Sequence, residues 1–283
     1  MTKTYALFGN PVANSRSPAM HNAAFKALGI DAVYIAFNSP LIDKAIHSAR
    51  EKNFAGASVT IPHKVDVISC IDEIDETAAN IGAVNTLVFK DGKIKGYNTD
   101  GIGAVTALRE AGAPSLKNLS CLLIGNGGAA RAIAYALVAE DSAVTIAGRT
   151  PEKAAALTED ISKKFVGAKW VALADVNPSF TKNFDVIINA TSVGMEPDVS
   201  KSPIEANALH SGQWIFDIVY KPDITKLLAE AQARGCKIIK GSEMLLYQGT
   251  KQFELWTGQP APIEIMRQAL SNALTDAQTK TTI

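Results

Sequence analysis

The sequence predicts a two-domain α/β protein built on parallel β-sheet, and three observations support this fold class. Short apolar runs alternate with longer segments of helical periodicity along most of the 283 residues, as in parallel sheets covered by helices. A second block of this kind begins near Leu119, after a first block of similar design. Its first strand runs through a glycine-rich turn directly into a helix. The length is sufficient for one large domain or two medium ones with buried cores.

In the first block, one helix and one hairpin carry the clearest patterns. The helix places Met20, Ala24, Phe25 and Leu28 on one face and is predicted to end at Gly29. Asp91-Gly92 between two apolar runs is typical of a tight β-hairpin. The predicted elements are strand Tyr5–Phe8, helix Pro18–Leu28, strands Val33–Phe37, Ala57–Thr60, Val84–Phe89 and Ile94–Tyr97, and helix Gly101–Gly112.

The second block alternates strands and helices more regularly, and helical sequence follows Gly241. An apolar stripe there is formed by Ile265, Met266, Ala269, Leu270 and Ala273. The predicted elements are strand Leu119–Ile124, helix Gly128–Ala139, strand Ala143–Ala147, helix Pro151–Phe165, strands Asp185–Asn189 and Trp214–Ile218, helix Ile224–Arg234 and strand Lys237–Ile239.

Composition excludes several classes of function. The 28 Lys and Arg residues balance the 28 Asp and Glu residues, so no net field attracts nucleic acid or a membrane surface. The three cysteines show neither metal-ligand spacing nor a disulfide framework, and no metal site is predicted. No apolar run approaches the ~20 residues of a membrane span, and no signal peptide precedes the first strand. We therefore expect a cytoplasmic protein.

The turn after the strand Leu119–Ile124 has the sequence of a dinucleotide-binding site. Glycines in this position let the backbone approach a pyrophosphate, and the helix that follows offers unpaired N–H groups and a partial positive charge. The context of strand, turn, helix and second strand favours a dinucleotide over an ordinary tight turn. The residues predicted to contact it here are Gly125, Asn126, Gly127, Gly128 and Ala129.

The end of the second strand indicates which dinucleotide binds. An NAD site places an acidic residue there to bind the ribose 2′-hydroxyl, whereas this chain continues Gly148-Arg149-Thr150. The Arg149 guanidinium can bind a 2′-phosphate in a forked arrangement, and Lys153 would add charge. Thr150 can cap the next helix, with Pro151 in its first position. NADP is therefore predicted over NAD, although Glu152 leaves NAD open.

Polar fragments in the first block exceed what strand ends, caps and turns require. Together they supply hydroxyls, amides and carboxylates suited to a small polyol with one carboxylate. The fragments are Ser15-Arg16-Ser17-Pro18, His21-Asn22, Ser58-Val59-Thr60-Ile61-Pro62-His63-Lys64, Asn85-Thr86 and Asn98-Thr99-Asp100-Gly101.

These fragments, in this order, resemble the shikimate dehydrogenase family over nearly the whole chain. Further stretches that carry the resemblance are Gly9-Asn10-Pro11, Gly82-Ala83-Val84-Asn85-Thr86, Gly125-x-Gly127-Gly128-Ala129-x-Arg131, Asn189-Ala190-Thr191-Ser192-x-Gly194, Asp217-x-x-Tyr220 and Gly241-x-x-Met244-Leu245-x-x-Gln248. The chain departs from the family at Gly148, where an Asn is usual, and this removes one side-chain contact to the adenosine end.

The resemblance implies a role for each matching residue. Ser15 and Ser17 would bind the substrate carboxylate. Hydroxyl groups of the substrate would contact Thr60, Asn85, Asp100 and Gln248, with Tyr220 close by. The cofactor would also contact Glu76, Thr191, Ile218 and Gly241. Lys64 would be the acid–base residue, paired with Asp100.

Physical chemistry bears on Lys64 as well. A ketone reduced by hydride develops negative charge on oxygen, so a proton donor is needed nearby. Pro62 favours the first turn of a helix, which would place Lys64 near a helix N-terminus that disfavours an extra positive charge. Asp100 would oppose this by stabilising the ammonium.

The resemblance also implies the architecture. Residues 1–101 and 242–283 would form a discontinuous α/β substrate domain completed by C-terminal helices, and residues 102–241 a Rossmann-type NADP-binding domain. The implied activity is NADPH-dependent reduction of 3-dehydroshikimate to shikimate by a monomer or homodimer. Two alternatives remain: an NAD-using quinate/shikimate dehydrogenase, and a non-catalytic sensor of dinucleotides or metabolites.

Overall fold

A computed structural model describes the backbone of residues 2–280 and the side chains of residues 2–275. It divides into two compact units. The first comprises the chain up to Thr99 together with the chain from Gln248 onward, and the second comprises Asp100–Tyr247. Each unit contains a six-stranded sheet with helices, so the predicted α/β fold class is confirmed.

The strands are short and most are buried. In chain order they are β1 (Lys3–Gly9), β2 (Ala32–Asn38), β3 (Gly56–Val59), β4 (Glu73–Ile74), β5 (Thr86–Lys90), β6 (Lys93–Tyr97), β7 (Ser120–Ile124), β8 (Ala143–Gly148), β9 (Ala168–Ala172), β10 (Val186–Asn189), β11 (Trp214–Asp217) and β12 (Lys237–Ile239). The α-helices are α1 (Ser17–Ala27), α2 (Ile42–Glu51), α3 (Glu76–Ile81), α4 (Asp100–Glu110), α5 (Gly128–Ala139), α6 (Pro151–Ser162), α7 (Pro178–Thr181), α8 (Lys226–Ala233), α9 (Gly241–Thr257) and α10 (Ile263–Lys280).

The sheet of the first unit is mixed, with strand order β2-β1-β3-β5-β6-β4. Strand β1 pairs in parallel with β2 and β3, whereas β5 runs antiparallel to both β3 and β6. The β5–β6 turn has positive φ at Asp91 (52°) and Gly92 (75°), which confirms the predicted hairpin. The carboxyl ends of β1, β3 and β6 therefore lie at the same edge as the start of β5.

Side chains alternate along β1, so they point to both faces of this sheet. Both faces are covered by helices. Ala6 and Phe8 pack with the α2 residues Ile42 and Ile46. On the other face Tyr5 contacts rings from α1 and α9: its ring centroid lies 5.1 Å from that of Phe25 and 5.0 Å from that of Trp256.

The sheet of the second unit is parallel throughout, with order β12-β11-β10-β7-β8-β9. Along the chain this is the doubly wound order in which the sheet grows outward from its first strand, here β7, in both directions. The two faces of β7 are buried in separate clusters: Leu123 packs with Ile133 of α5, and Leu122 packs with Leu228 of α8. Ligands of such sheets bind at the carboxyl ends of the strands, where the order reverses.

Two details of the predicted apolar faces are wrong. Leu28 is 40% exposed, because α1 ends at Ala27 and the chain turns away through Gly29 at φ 63°. Ile265 is 44% exposed on α10, where Met266 and Leu270 carry the buried contact one turn apart. Segments that were not predicted include the amphipathic helix α2 and the edge strand β9.

Candidate active site

The glycine-rich turn in the second unit lies where the strand order reverses. Strand β7 ends at Ile124, which lies beside Asn189 at the end of β10. Gly125 has φ 125°, and a Cβ on it would lie 2.8 Å from the Ala190 carbonyl oxygen and 3.1 Å from the Thr191 methyl group. Only glycine fits this contact, which sets the turn directly against the end of β10.

The same turn leads into a helix with an accessible N-terminus. Gly127 occupies the N-cap of α5 in extended conformation, and no side chain caps this end. Gly127 is exposed, and a Cβ on it would meet no described protein atom within 4 Å. The first N–H groups of α5 and its partial positive charge can therefore bind an anionic group. Asn126, Gly128 and Ala129 are half-buried around this point.

Polar residues stand at the end of the neighbouring strand β8, as the sequence predicts. Arg149, Thr150 and Lys153 are all exposed. Gly148 is buried, and a Cβ on it would lie 3.0 Å from the Asn126 amide nitrogen. The amide of Asn126 therefore occupies the space beside Gly148.

The predicted cap of α6 is wrong in one respect. Thr150 is the N-cap residue and Pro151 takes the first helical position, as expected, but the Thr150 side chain makes no capping hydrogen bond. The Thr150 carbonyl instead accepts from the N–H groups of Lys153 and Ala154. The Thr150 hydroxyl is thus not committed to the helix end.

A buried polar network joins the ends of β10 and β11. Asp217 is 0% exposed, and its carboxylate accepts hydrogen bonds from the Thr225 hydroxyl (2.6 Å), the Asn189 amide (2.9 Å) and the Val219 N–H (3.0 Å). Burial raises the pKa of Asp217 to about 6, although these three hydrogen bonds act in the opposite direction. The sequence assigned no role to Asn189 or Thr225.

This network positions residues predicted to contact the cofactor. The Thr191 hydroxyl and N–H donate to Asn189 Oδ1 over 2.7 and 3.1 Å. The Ile218 N–H donates to the Asn189 carbonyl (3.1 Å), and a Cβ on Gly241 would collide with the Ile218 carbonyl oxygen. Thr191, Ile218 and Gly241 are thereby held at the carboxyl edge of the second sheet.

In the first unit, several predicted substrate residues gather at one edge of the sheet. Thr60 follows β3, and its N–H donates to the Phe8 carbonyl of β1 (2.9 Å). Asn85 precedes β5 and its carbonyl accepts from the Val59 N–H (2.8 Å). The Lys64 carbonyl accepts from the Val84 N–H (2.7 Å), which places Lys64 next to this strand start.

Asn85 also contacts a residue distant in sequence. Its side chain is 1% exposed and its amide nitrogen lies 3.5 Å from the Gln248 Oε1 atom on α9. Ser15 and Ser17 form a second pair at the start of α1, where the Ser15 hydroxyl accepts from the Ser17 N–H and donates to the Ser17 hydroxyl, both over 3.3 Å.

The helix predicted to begin at Pro62 is absent. Residues 61–65 form turns, and a short 3-10 helix follows at Asp66–Cys70. The Lys64 carbonyl is taken by the Val84 N–H, so it is not available to the N–H four residues on, as an α-helix requires. The α-helix whose dipole was expected to act on the Lys64 ammonium is therefore not formed.

The remaining predicted residues are more dispersed. Asp100 is buried and begins α4, and Tyr220 is half-buried after β11. Both belong to the second unit, so the pairing of Lys64 with Asp100 stays a prediction. Glu76 is exposed in the first turn of α3, and its contact with a cofactor is also untested.

Gln252 was not among the predicted site residues. This residue is 2% exposed on α9 and lies one helical turn beyond Gln248. Its amide contacts Ser58, Asn85 and Thr86. The spacing of two glutamines on one helix face was the feature that could have indicated it.

Two other kinds of site have no representative in the described part of the chain. Among residues 2–275, whose side chains are described, no cluster of three or more His, Cys, Asp or Glu could hold a metal ion. None of the helices described there is long and apolar enough to span a membrane. The cysteines are free thiols: Cys121 and Cys236 are buried, whereas Cys70 is half-buried.

The second unit has a doubly wound sheet with a glycine turn at its switch point, and the first unit has a polar cluster. Together these features define a dinucleotide-dependent oxidoreductase. Family models match three consecutive stretches: the shikimate dehydrogenase substrate binding domain over residues 7–87, shikimate/quinate 5-dehydrogenase over residues 107–238, and the shikimate 5′-dehydrogenase C-terminal domain over residues 241–270. The chain belongs to the shikimate dehydrogenase family.

Individual relatives agree over nearly the full length. The chain is 45% identical to the shikimate dehydrogenase (NADP(+)) of Moorella thermoacetica, across 96% of this chain and 94% of that protein. A crystal structure of a shikimate dehydrogenase in complex with NADP+ superposes with a TM-score of 0.91 at 41% identity, covering 96% of each chain. The Thermus thermophilus enzyme in complex with NADP(H) and shikimate gives 0.88 at 37% identity, covering 96% and 100%.

Proposed function

We propose that this protein catalyses the reversible NADPH-dependent reduction of 3-dehydroshikimate to shikimate. The observation that carries the proposal is the presence, in one chain of this family, of both a dinucleotide turn and a buried hydroxyl-and-amide cluster. A hydride transfer needs both sites, because one binds the dinucleotide and the other binds the molecule that is reduced. Relatives named for this NADP-dependent activity support it.

The first unit would bind the substrate. The hydroxyls of Ser15 and Ser17 suit a carboxylate, since hydroxyl donors can bind both of its oxygens. Thr60, Asn85 and Gln248 would bind the hydroxyl groups of the ring, together with Asp100 and Tyr220. A neutral cluster of this kind binds a small polar molecule by hydrogen bonds rather than by net charge, which matches the balanced charge of the chain.

Lys64 would be the acid–base residue. When bound, the nicotinamide supplies the hydride that adds to the carbonyl carbon. The carbonyl π bond breaks, its electron pair moves to oxygen, and Lys64 Nζ donates a proton there. In the reverse direction Lys64 takes this proton from the alcohol. Asp100 would stabilise the charged ammonium form of Lys64, which is present before the proton is donated and after it is taken up.

The second unit would bind NADP. The α5 N-terminus and the backbone of residues 125–129 suit the pyrophosphate, because a phosphate group can approach the Gly127 backbone without meeting a side chain. Arg149 and Lys153 supply the positive charge that a 2′-phosphate needs, and the Thr150 hydroxyl can donate to it. Thr191, Ile218 and Gly241 would line the nicotinamide end, with Glu76 as a further contact.

Initial rates with shikimate or quinate, each with NADP+ or NAD+, test this proposal. We expect shikimate with NADP+ to give the highest kcat/KM. In the same assay Lys64→Ala is expected to lower kcat about 100-fold or more, as for a lost general acid, while NADPH binding stays within about twofold. Near-normal turnover in this variant would remove Lys64 from the mechanism.

The other outcomes identify the alternatives. A preference for quinate with NAD+ would establish the NAD-using quinate/shikimate dehydrogenase. Tight binding of shikimate and NADPH by calorimetry without turnover would establish a sensor. The free thiols fit a reducing cytoplasm, and a monomer or homodimer is expected, which light scattering of the purified protein would decide.

A further inference from the structure

A continuous line of buried hydrogen bonds runs through the first unit behind Asn85. The Tyr34 hydroxyl donates to the Ser58 hydroxyl (2.7 Å), which donates to Gln252 Oε1 (2.8 Å). Gln252 Nε2 donates to the Thr86 hydroxyl (3.0 Å), which donates to Asn85 Oδ1 (2.7 Å). All five side chains are buried, so water does not compete for these bonds. We call this line the Tyr34–Asn85 chain.

Backbone groups settle which way the two amides face. The Thr99 N–H lies 2.8 Å from Asn85 Oδ1, and an N–H can only donate, so this atom must be the oxygen. The Asn85 carbonyl lies 3.3 Å from Gln252 Nε2, and a carbonyl can only accept, so this atom must be the nitrogen. The direction of every hydroxyl in the chain follows from these two anchors.

The consequence concerns the side of Asn85 that a ligand meets. Asn85 Oδ1 is enclosed by donors from Thr86 and Thr99. Its amide nitrogen donates to the Thr99 hydroxyl (3.0 Å) and also faces Gln248 Oε1, over a long 3.5 Å contact. A ligand oxygen that enters at this contact can replace it and accept a shorter hydrogen bond from Asn85. At this position the Asn85 amide nitrogen therefore acts as a hydrogen-bond donor to an acceptor oxygen of the ligand.

We propose that Gln252 is a positioning residue for substrate binding: through the Tyr34–Asn85 chain it holds the Asn85 amide as a donor toward an oxygen of the substrate. This inference rests on the proposed function, because it takes the bound polyol to be shikimate. Gln252 is central since its two amide atoms join the two halves of the chain. Without it, Thr86 loses the donor that orients its hydroxyl toward Asn85.

Gln252→Met tests this role, because methionine has similar volume and no amide. The KM for shikimate is expected to rise about tenfold, which corresponds to about 1.4 kcal/mol. The kcat and the KM for NADP+ are expected to stay within about twofold. Gln252→Glu should raise the shikimate KM at least as much, since a carboxylate accepts where Thr86 needs a donor.

Gln213→Met is the matched control for general loss of stability. Gln213 is also buried and its amide donates to the carbonyls of Thr181 and Phe184 (both 2.8 Å), but it belongs to the second unit. This variant should lose thermal stability without a change in the shikimate KM. An unchanged shikimate KM in Gln252→Met, or equal increases for both substrates, would overturn the proposal.

A readout independent of turnover separates this proposal from the proposed function. In ¹⁵N-labelled protein the Asn85 side-chain amide pair is assigned by its loss in Asn85→Asp. Its signals should shift in Gln252→Met and stay in place in Gln213→Met. If the wild type does not turn over shikimate, the proposed function fails. The NMR measurement still shows whether Gln252 orients the Asn85 amide through the Tyr34–Asn85 chain. If Gln252→Met does not fold, Ser58→Ala, which removes the donor to Gln252 Oε1, is measured in the same way, and unmoved Asn85 signals would reject the role.

Discussion

His21 is the residue whose chemistry is most altered by its surroundings. It is 0% exposed, its ring stacks on Tyr34 with centroids 4.5 Å apart, and Trp256 lies 5.1 Å away. Neither ring nitrogen meets a hydrogen-bond partner in good geometry among the described residues. Burial lowers the pKa of His21 to about 3, and the nearby Gln252 amide offsets this only in part.

The low pKa of His21 predicts a loss of stability in acid. As pH falls below 6.5, the unfolded chain binds a proton on His21 that the folded chain excludes down to about 3. The free energy of unfolding should therefore fall by about 1.4 kcal/mol per pH unit in this window. His21→Phe keeps the ring stack and cannot titrate, so urea unfolding between pH 5 and 8 should show the variant gaining on the wild type as pH falls.

Two features make this comparison specific. Any offset from the larger Phe ring is constant with pH, and Asp217 titrates in both proteins, so both effects cancel in the slope. Parallel pH profiles for wild type and His21→Phe would show that His21 is hydrated in the folded state.

Among the predicted site residues, local patterns identified types and positions but not contacts. Asn85 and Gln248 were each marked by their fragments, yet their amides meet only because β5 and α9 belong to one unit. Gln252 was missed because the fragments that carry the family resemblance end at Gln248, although its spacing of one helical turn from Gln248 places both on one helix face. Its hydrogen bonds with Ser58 and Thr86 span segments far apart in sequence.

At the scale of elements, the turn between β7 and α5 contains two glycines in different surroundings. Gly125 is structural, because its φ of 125° and its contact with the Ala190 carbonyl exclude a side chain. Gly127 lies at the N-cap with open space around it, so a side chain there would meet no packed neighbour in the protein. The two positions are two residues apart and provide controls for each other.

Gly127→Ala is expected to weaken NADPH binding by about tenfold or more, because the added methyl group stands where the pyrophosphate approaches. Its thermal midpoint should fall by only a few degrees, since alanine at an N-cap costs about 1 kcal/mol relative to glycine. Gly125→Ala should lower the midpoint further. Calorimetric titration with NADPH and thermal unfolding measure the two effects. Normal NADPH affinity in Gly127→Ala would move the pyrophosphate away from this turn.

Elements were predicted best where periodicity and breakers agree. The bounds of α5 and β12 match their predictions, because an apolar repeat there is closed by a glycine turn or a polar segment. The helix at Pro62 was wrong, since the sheet edge takes the Lys64 carbonyl that the helix would need. The edge strand β9 was missed because Trp170, at its centre, is 47% exposed and the strand lacks a continuous apolar run.

At the scale of the whole molecule, each unit has a complete sheet of its own. The parallel sheet of the second unit needs a helical crossover between strands, whereas the mixed sheet of the first unit contains a tight hairpin. Each unit also buries its own apolar clusters. We therefore expect each ligand alone to act mainly on the unit that binds it.

Hydrogen–deuterium exchange tests whether each ligand protects mainly the unit that binds it. NADPH alone should slow exchange in peptides covering residues 125–131 and 148–154, because binding suppresses local opening. Shikimate alone should slow exchange in peptides covering residues 15–20, 60–64 and 248–252. Protection of residues 125–131 by shikimate as strong as that by NADPH would contradict separate binding units.

The sequence by itself determined the α/β class, the dinucleotide turn and the identity of most candidate residues. The fold class and the turn depend on short-range patterns: alternation in strands, helical repeats, and glycine where backbone must approach a ligand closely. The roles of most candidate residues are implied by the resemblance to the family. Only the tertiary structure decided that Lys64 lies in a turn, that Asn126 packs beside Gly148, and that Gln252 donates to the Asn85 carbonyl. The physical reason is that these contacts join segments distant in the chain, so they depend on sheet order and on competition for buried hydrogen-bonding groups.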